Sequence, residues 1–199
     1  MTTLKETMCE KHPWEPFLPE NAKILLLGSF PPPKMRWSMD FYYPNITNDF
    51  WKIIGLLFLE DPTHFLLKEK KGFDKALIEE FLNQKGIAMY DAATVIRRTK
   101  GNASDQYLEI VEKTDITDLL NKIPNCTTIA VTGEKSANTV LGQFNAETPM
   151  IGEYVQIIIN NRKINVWRMP STSRAYPLAL EKKARYYKQL FEAAKIAFS

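Results

Sequence analysis

Two short stretches hold the residues best suited to chemistry. In PNITNDFW, Pro44 to Trp51, two amides and a carboxylate (Asn45, Asn48 and Asp49) stand where a polar loop meets a bulky apolar segment. A side-chain amide is donor and acceptor at once, so Asn48 can serve a pocket in both senses while the FWKII run anchors the loop in a core. Asp49 has a plainer reading, a carboxylate that offsets the dipole of the helix it begins. In MPSTSR, Met169 to Arg174, three hydroxyls precede a cation. Ser171, Thr172 and Ser173 can bond phosphate oxygens ahead of a helix, and Arg174 can reach a phosphate. An ordinary serine-threonine turn with an N-cap is the alternative for this stretch.

Composition narrows the chemistry further. Cys9 and Cys126 are too few for a four-cysteine zinc or iron–sulfur site, and His12 and His64 lie at no metal-ligand spacing from another Cys or His. No structural metal or cluster is expected. Cys9, Cys126, His12 and His64 get structural or surface readings. Trp14, Trp51 and Trp167 are read as core or edge packing, and Trp37 as loop packing or a partner contact. The N-terminus lacks the apolar stretch of a signal peptide, and no run of about eighteen apolar residues occurs, so an intracellular protein is expected. A net charge of +3 permits a polyanionic partner without demanding one. The cations do cluster: Lys34 with Arg36; Arg97, Arg98 and Lys100; then Arg174, followed by Lys182, Lys183, Arg185 and Lys188. The first three groups are expected in loops, the last on a solvated helix face.

The elements that must position these residues follow from periodicity. With 199 residues, 45% of them apolar, the chain is long enough for one sizeable core and short for two, so a single domain over 1–199 is expected. KILLLG, Lys23 to Gly28, reads as a strand buried on both faces of a parallel sheet. Pro31 to Pro33 then forbid regular structure, making Ser29 to Thr47 a long ordered loop rich in aromatics. Thr47 or Asn48 is expected to cap a helix through FWKIIGLLFLE, whose Phe50, Ile53, Ile54 and Leu57 share a face. A helix over Asp74 to Gln84, the strand-like GIAMYDAA, a basic loop VIRRTKGNASD and a helix near Asp115 to Lys122 follow. TTIAVTG reads as a strand, GEKSANTVLGQF as a helix, and YVQIIINNRKINVWRMP as two strands turning at Asn160 and Asn161. Pro177 is expected to open the last helix. This alternation predicts a three-layer α/β/α domain with a mainly parallel sheet and a site at the carboxyl ends of its strands.

The residues also resemble a known family. An apolar strand running into GSFP, the spacing YY-x5-N-x-FW, and PSTS between the last strand and last helix are similar to the uracil-DNA glycosylase superfamily, closest to its hypoxanthine-DNA glycosylase branch. The resemblance implies a monofunctional base-excision repair enzyme that flips a deaminated base, hypoxanthine or uracil, out of DNA and hydrolyses its N-glycosidic bond without a cofactor. It also implies backbone donors around Gly28, Ser29 and Phe30, a stacking aromatic at Tyr43, and Asn48 as the residue that meets the base or the attacking water. Asn45 is a weaker pocket candidate, and Ser171 to Arg174, Arg97 and Arg98 are the expected DNA contacts.

Departures from other branches matter equally. Phe30 stands where some branches place a water-activating Asn or Asp, and Met169 where some place a histidine. Asn45 and Ile46 stand where a histidine and a proline are expected for the hypoxanthine type, which leaves base choice open. A catalytically silent lesion-binding protein and a free nucleoside hydrolase therefore remain as alternatives. The expected partner is DNA with deaminated bases, and the protein is expected to act as a monomer in the cytoplasm, at the nucleoid in a bacterium.

Overall fold

The computed structural model describes residues 8–69, 71–99 and 107–198. In chain order the elements are β1 (Cys9–Lys11), β2 (Ile24–Gly28), α1 (Phe50–Leu59), α2 (Lys75–Lys85), β3 (Ile87–Asp91), β4 (Ala93–Arg98), β5 (Leu108–Lys113), α3 (Ile116–Lys122), β6 (Thr128–Thr132), α4 (Glu134–Leu141), β7 (Tyr154–Ile159), β8 (Arg162–Met169) and α5 (Leu180–Ala193). The fold is mixed α/β with two sheets. A five-stranded sheet has the order β3-β2-β6-β8-β7, and a three-stranded one the order β1-β4-β5.

The continuous apolar run of β2 is explained by its place in the larger sheet. It is flanked by β3 and β6, both parallel to it, and all its residues are buried. Strand β8 continues the parallel set, and β7 closes the edge antiparallel, turning at Asn160 and Asn161, both at positive φ. Such left-handed positions suit asparagine, which tolerates them better than most residues.

Helix boundaries follow local capping chemistry. Asp74 caps α2 by accepting from the Leu77 N–H, and Gly86 closes it at φ 67°. Asp115 does the same for α3 through the Asp118 N–H. Helix α1 begins one residue later than its sequence suggests: Asp49, not Thr47 or Asn48, is its cap position, without a side-chain cap bond. Of the expected face, Phe50, Ile53 and Ile54 lie in the core and Leu57 packs against it partly buried. The Trp51 indole is buried too, and its Nε1–H donates to the Tyr42 carbonyl at 3.0 Å, so the helix start and the preceding loop share one packing unit.

Three expectations need correction. Val95 to Arg98, expected to open a basic loop, belong to a strand: β4 pairs antiparallel with β1 and β5, placing Arg97 opposite both Cys9 and Glu109. The cations survive there because Glu10 and Glu109 on the two neighbouring strands neutralise them, and local sequence cannot reveal those partners. Lys100, expected in the same loop, lies outside the described residues. Helix α5 starts at Leu180 rather than at Pro177, because Tyr176 to Leu178 form a turn in which the Leu178 N–H bonds the Tyr176 carbonyl. Lys183, expected on a solvated face, is fully buried. Lys34 and Arg36 do lie in the long loop, within a short 3-10 turn.

Candidate active site

The carboxyl ends of β2, β3, β6 and β8 come together, and a cleft of about 590 Å³ opens above them. Open α/β sheets bind ligands at this end, where successive loops diverge. Gly28, Ser29, Phe30, Tyr43, Asn45 and Asn48 line the cleft from one loop, and Ser171, Thr172 and Ser173 from another. A smaller pocket of about 320 Å³ shares Asn45, Asn48 and Ser173 with it and adds Arg174 and Thr47; Arg36 lines both. Arg97 and Arg98 line neither.

Asn48 is only half committed. Its side-chain oxygen accepts from the Phe50 N–H at 2.8 Å, which also fixes which end of the amide is which, because a backbone N–H needs an oxygen. The NH2 has no protein partner among the described residues, so Asn48 offers the cleft a donor first. Asn45 spends its side-chain oxygen on the Thr47 N–H and hydroxyl, an Asx turn that shapes the loop. Tyr43 sits at φ 51°, its ring stacked on Phe50 at 4.0 Å and 12° between planes, its hydroxyl 2.7 Å from Thr132 Oγ1. One face of the ring is thus taken by the core while the residue still borders the cleft.

The second loop is tied to the first. Thr172 is buried, and its carbonyl accepts from the Asp49 N–H at 2.9 Å. The Ser173 N–H donates to Ser171 Oγ and the Ala175 N–H to Ser173 Oγ, so the ordinary serine turn is present. The hydroxyl protons remain available to an anion, since each oxygen acts only as acceptor in those bonds. Lys183 reaches in from α5 to Asp49 and to the Ser173 carbonyl. Met169, at the end of β8, is fully buried and contributes packing only.

Arg98 is fixed elsewhere. Its Nε–H donates to Glu10, and its Nη2–H donates to the Pro31 carbonyl at 2.6 Å. Arg97 pairs with Glu109 across the β4–β5 register at 3.0 Å.

Sequence reasoning missed Asp91, His12 and Trp14 as site residues. Asp91 ends β3, is 7% exposed and borders the cleft, and Trp14 borders it from the N-terminal segment. The His12 ring, its side chain only 2% exposed, sits 2.9 Å from Asp91. A signal for Asp91 existed: a carboxylate closing the apolar strand IAMYD lies at the end where sites form. Nothing in the sequence links His12 to it, 79 residues away. Burial raises the Tyr42 and Tyr90 hydroxyls, Tyr90 to about 12, and the nearby Asp91 charge pushes both further. Among the described residues, no group of three or more His, Cys, Asp or Glu side chains could hold a metal ion, and no helix is long and apolar enough to cross a membrane.

Comparison with known proteins places the fold. No family model and no curated protein matches the chain. The solution NMR structure of a protein from Methanosarcina acetivorans, provisionally assigned as a uracil DNA glycosylase, superposes with a TM-score of 0.59 at 21% identity, covering 94% of this chain and 99% of that one. The chain thus shares the fold of that protein over nearly its whole length.

Proposed function

We propose that the chain is a monofunctional DNA glycosylase that flips a deaminated base, hypoxanthine or uracil, from DNA and hydrolyses its N-glycosidic bond, leaving an abasic site. One observation carries the reading: the Asn48 amide and the Ser171 to Ser173 hydroxyls, more than 120 residues apart, line one cleft whose adjoining pocket carries Arg36 and Arg174. The fold shared with the Methanosarcina protein agrees with it.

The geometry suits the chemistry. Departure of the base leaves an oxocarbenium-like sugar and negative charge on the base, so the pocket must supply donors where that charge grows. We assign that role to the NH2 of Asn48, with the backbone N–H groups after Gly28, which borders the cleft, as further donors. Tyr43 gives the flipped base a ring to lie against, already braced by Phe50. Ser171, Ser173, Arg174 and Arg36 are the groups we assign to phosphates. Arg98, held by Glu10 and the Pro31 carbonyl, has no part in DNA binding here. In this reading a single three-layer α/β/α domain works as a monomer, in the cytoplasm and with no cofactor.

The test is direct. Labelled oligonucleotides holding one hypoxanthine, uracil, xanthine or G-paired thymine, single- and double-stranded, are incubated with the protein and then treated with alkali. Strand cleavage at the modified base is expected. Binding without abasic product on every substrate would make the protein a silent lesion binder, and activity on free nucleosides alone would make it a nucleoside hydrolase.

A further inference from the structure

Among the described residues that line the cleft, the single carboxylate is Asp91. Its Oδ2 lies 2.9 Å from His12 Nε2. Its Oδ1 rests against Gly28, where an added Cβ would collide with that oxygen. The glycine therefore serves close approach: it lets a charged oxygen reach the floor of the cleft at the end of β2. His12 is fixed in turn by Trp14, whose N–H meets Nδ1 at 3.2 Å and whose carbonyl stands 2.8 Å from the same nitrogen. Backbone groups are thus on hand for either protonation state of the ring. The rings of Trp14, Phe30, Tyr42 and Tyr90 enclose the imidazole at centroid distances of 4.6–6.1 Å. A buried carboxylate aimed by a buried histidine costs free energy to assemble, and stability alone gives little reason to keep one.

Hydrolysis needs an acceptor for a water proton, and the other polar groups of the cleft supply it poorly. The Asn48 oxygen is held by the Phe50 N–H, and the Tyr43 hydroxyl is paired with Thr132. We propose that Asp91 is the group that activates the attacking water, and that His12 is its positioning residue. This rests on the glycosylase reading above. The C1′–N bond breaks with its electron pair leaving on the base nitrogen while the water oxygen bonds C1′. One water proton passes to Asp91 and from there to the departed base, so a sugar hydroxyl, a neutral base and the free carboxylate result. Until then the carboxylate charge lies near the cationic sugar and lowers its energy. The titratable and charged groups facing Asp91 are His12 from the N-terminal segment, Tyr42 and Tyr43 from the first loop, and Tyr90 from its own strand. Arg36 lines the same cleft, and Glu15 also acts on Tyr42 and Tyr90.

Single-turnover excision by wild type, Asp91→Asn and His12→Gln, followed from pH 5 to 9 on the best wild-type substrate, tests the proposal, with substrate affinity measured in parallel. Asp91→Asn should lose about 100-fold or more in rate on every base with affinity retained. His12→Gln should lose about tenfold in rate at unchanged affinity and nothing further when added to Asp91→Asn, whereas a merely structural histidine would cost the same in either background. Wild-type rates in Asp91→Asn, or a loss on one base matched by a gain on another, would overturn the proposal; the latter would make Asp91 a reader of the base edge. A wild type inactive on every base would instead overturn the glycosylase reading, and this one with it. Should Asp91→Asn fail to fold, Asp91→Ala with added formate decides: restored turnover supports the role, and none overturns it.

Discussion

Lys183 Nζ lies 2.8 Å from Asp49 Oδ2, and this contact, with a second to the Ser173 carbonyl at 2.9 Å, joins the start of α1 to the loop after β8. The lysine side chain is 1% exposed and the aspartate 16%. Asp49 is therefore more than a carboxylate at a helix start: it neutralises a buried ammonium between the two loops that form the cleft. Removing Asp49 strands the buried ammonium, and removing Lys183 leaves Asp49 with Lys52 at 3.8 Å alone. Lys183→Met should cost roughly 3 kcal/mol of folding free energy, and adding Asp49→Asn should return part of it. Urea unfolding of both variants measures this, and a strictly additive pair would show that the contact has no energetic weight.

Asn48 is expected to act as donor. Asn48→Ala should lower excision about 10²- to 10³-fold, the scale of one lost transition-state hydrogen bond, while DNA affinity stays near wild type. Asn48→Asp, which accepts but does not donate when ionised, should fall comparably in single-turnover assays. A variant Asn48→Asp with full activity would show that the oxygen, not the nitrogen, matters.

The arginines divide by their partners. Arg98→Met should lower the unfolding free energy by about 1–2 kcal/mol for the lost charged contacts, and leave the salt dependence of DNA binding unchanged. Arg36→Gln with Arg174→Gln should do the opposite, reducing the slope of log affinity against log salt by up to about 1.8. Binding isotherms from 50 to 300 mM salt check both.

Stability should fall at alkaline pH. Burial raises the Cys126 thiol from 9.0 to about 12, and the Tyr90 hydroxyl goes from 10.0 to about 12. Tyr187 is raised as well by complete burial. Above pH 9 the unfolded chain loses these protons before the native one does, so the native state binds more protons and unfolding becomes easier as pH rises toward 12. Thermal midpoints from pH 8 to 11.5 should decline, and Cys126→Ala should flatten the first part of that decline.

Much of this architecture was legible in the sequence because it rests on local rules. The apolar runs of β2 and β6, the Asp caps of α2 and α3, and the long aromatic loop after β2 are set by residues close in sequence. The second sheet was not, because β4 reads as basic until Glu10 and Glu109 are placed beside Arg98 and Arg97. The cleft was half legible. Its two polar loops announce themselves by composition, whereas Asp91 lies inside an apolar strand and gains its meaning from His12 and from the missing side chain at Gly28. Lys183 was misread from its charged sequence neighbours Lys182 and Arg185, although i, i+4 and i+7 spacing puts it on the buried face with Tyr187 and Leu190, and only the fold supplies Asp49.

The most direct measurement is release of the free base. Wild type and Asn48→Ala are incubated with DNA carrying a single hypoxanthine or uracil, and the released base and the abasic sites are each quantified, the base by chromatography with mass detection. Free base from wild type is expected in one-to-one ratio with abasic sites, and at least a hundredfold less from the variant at equal DNA affinity. No released base from any substrate, or equal release from wild type and variant, would contradict it.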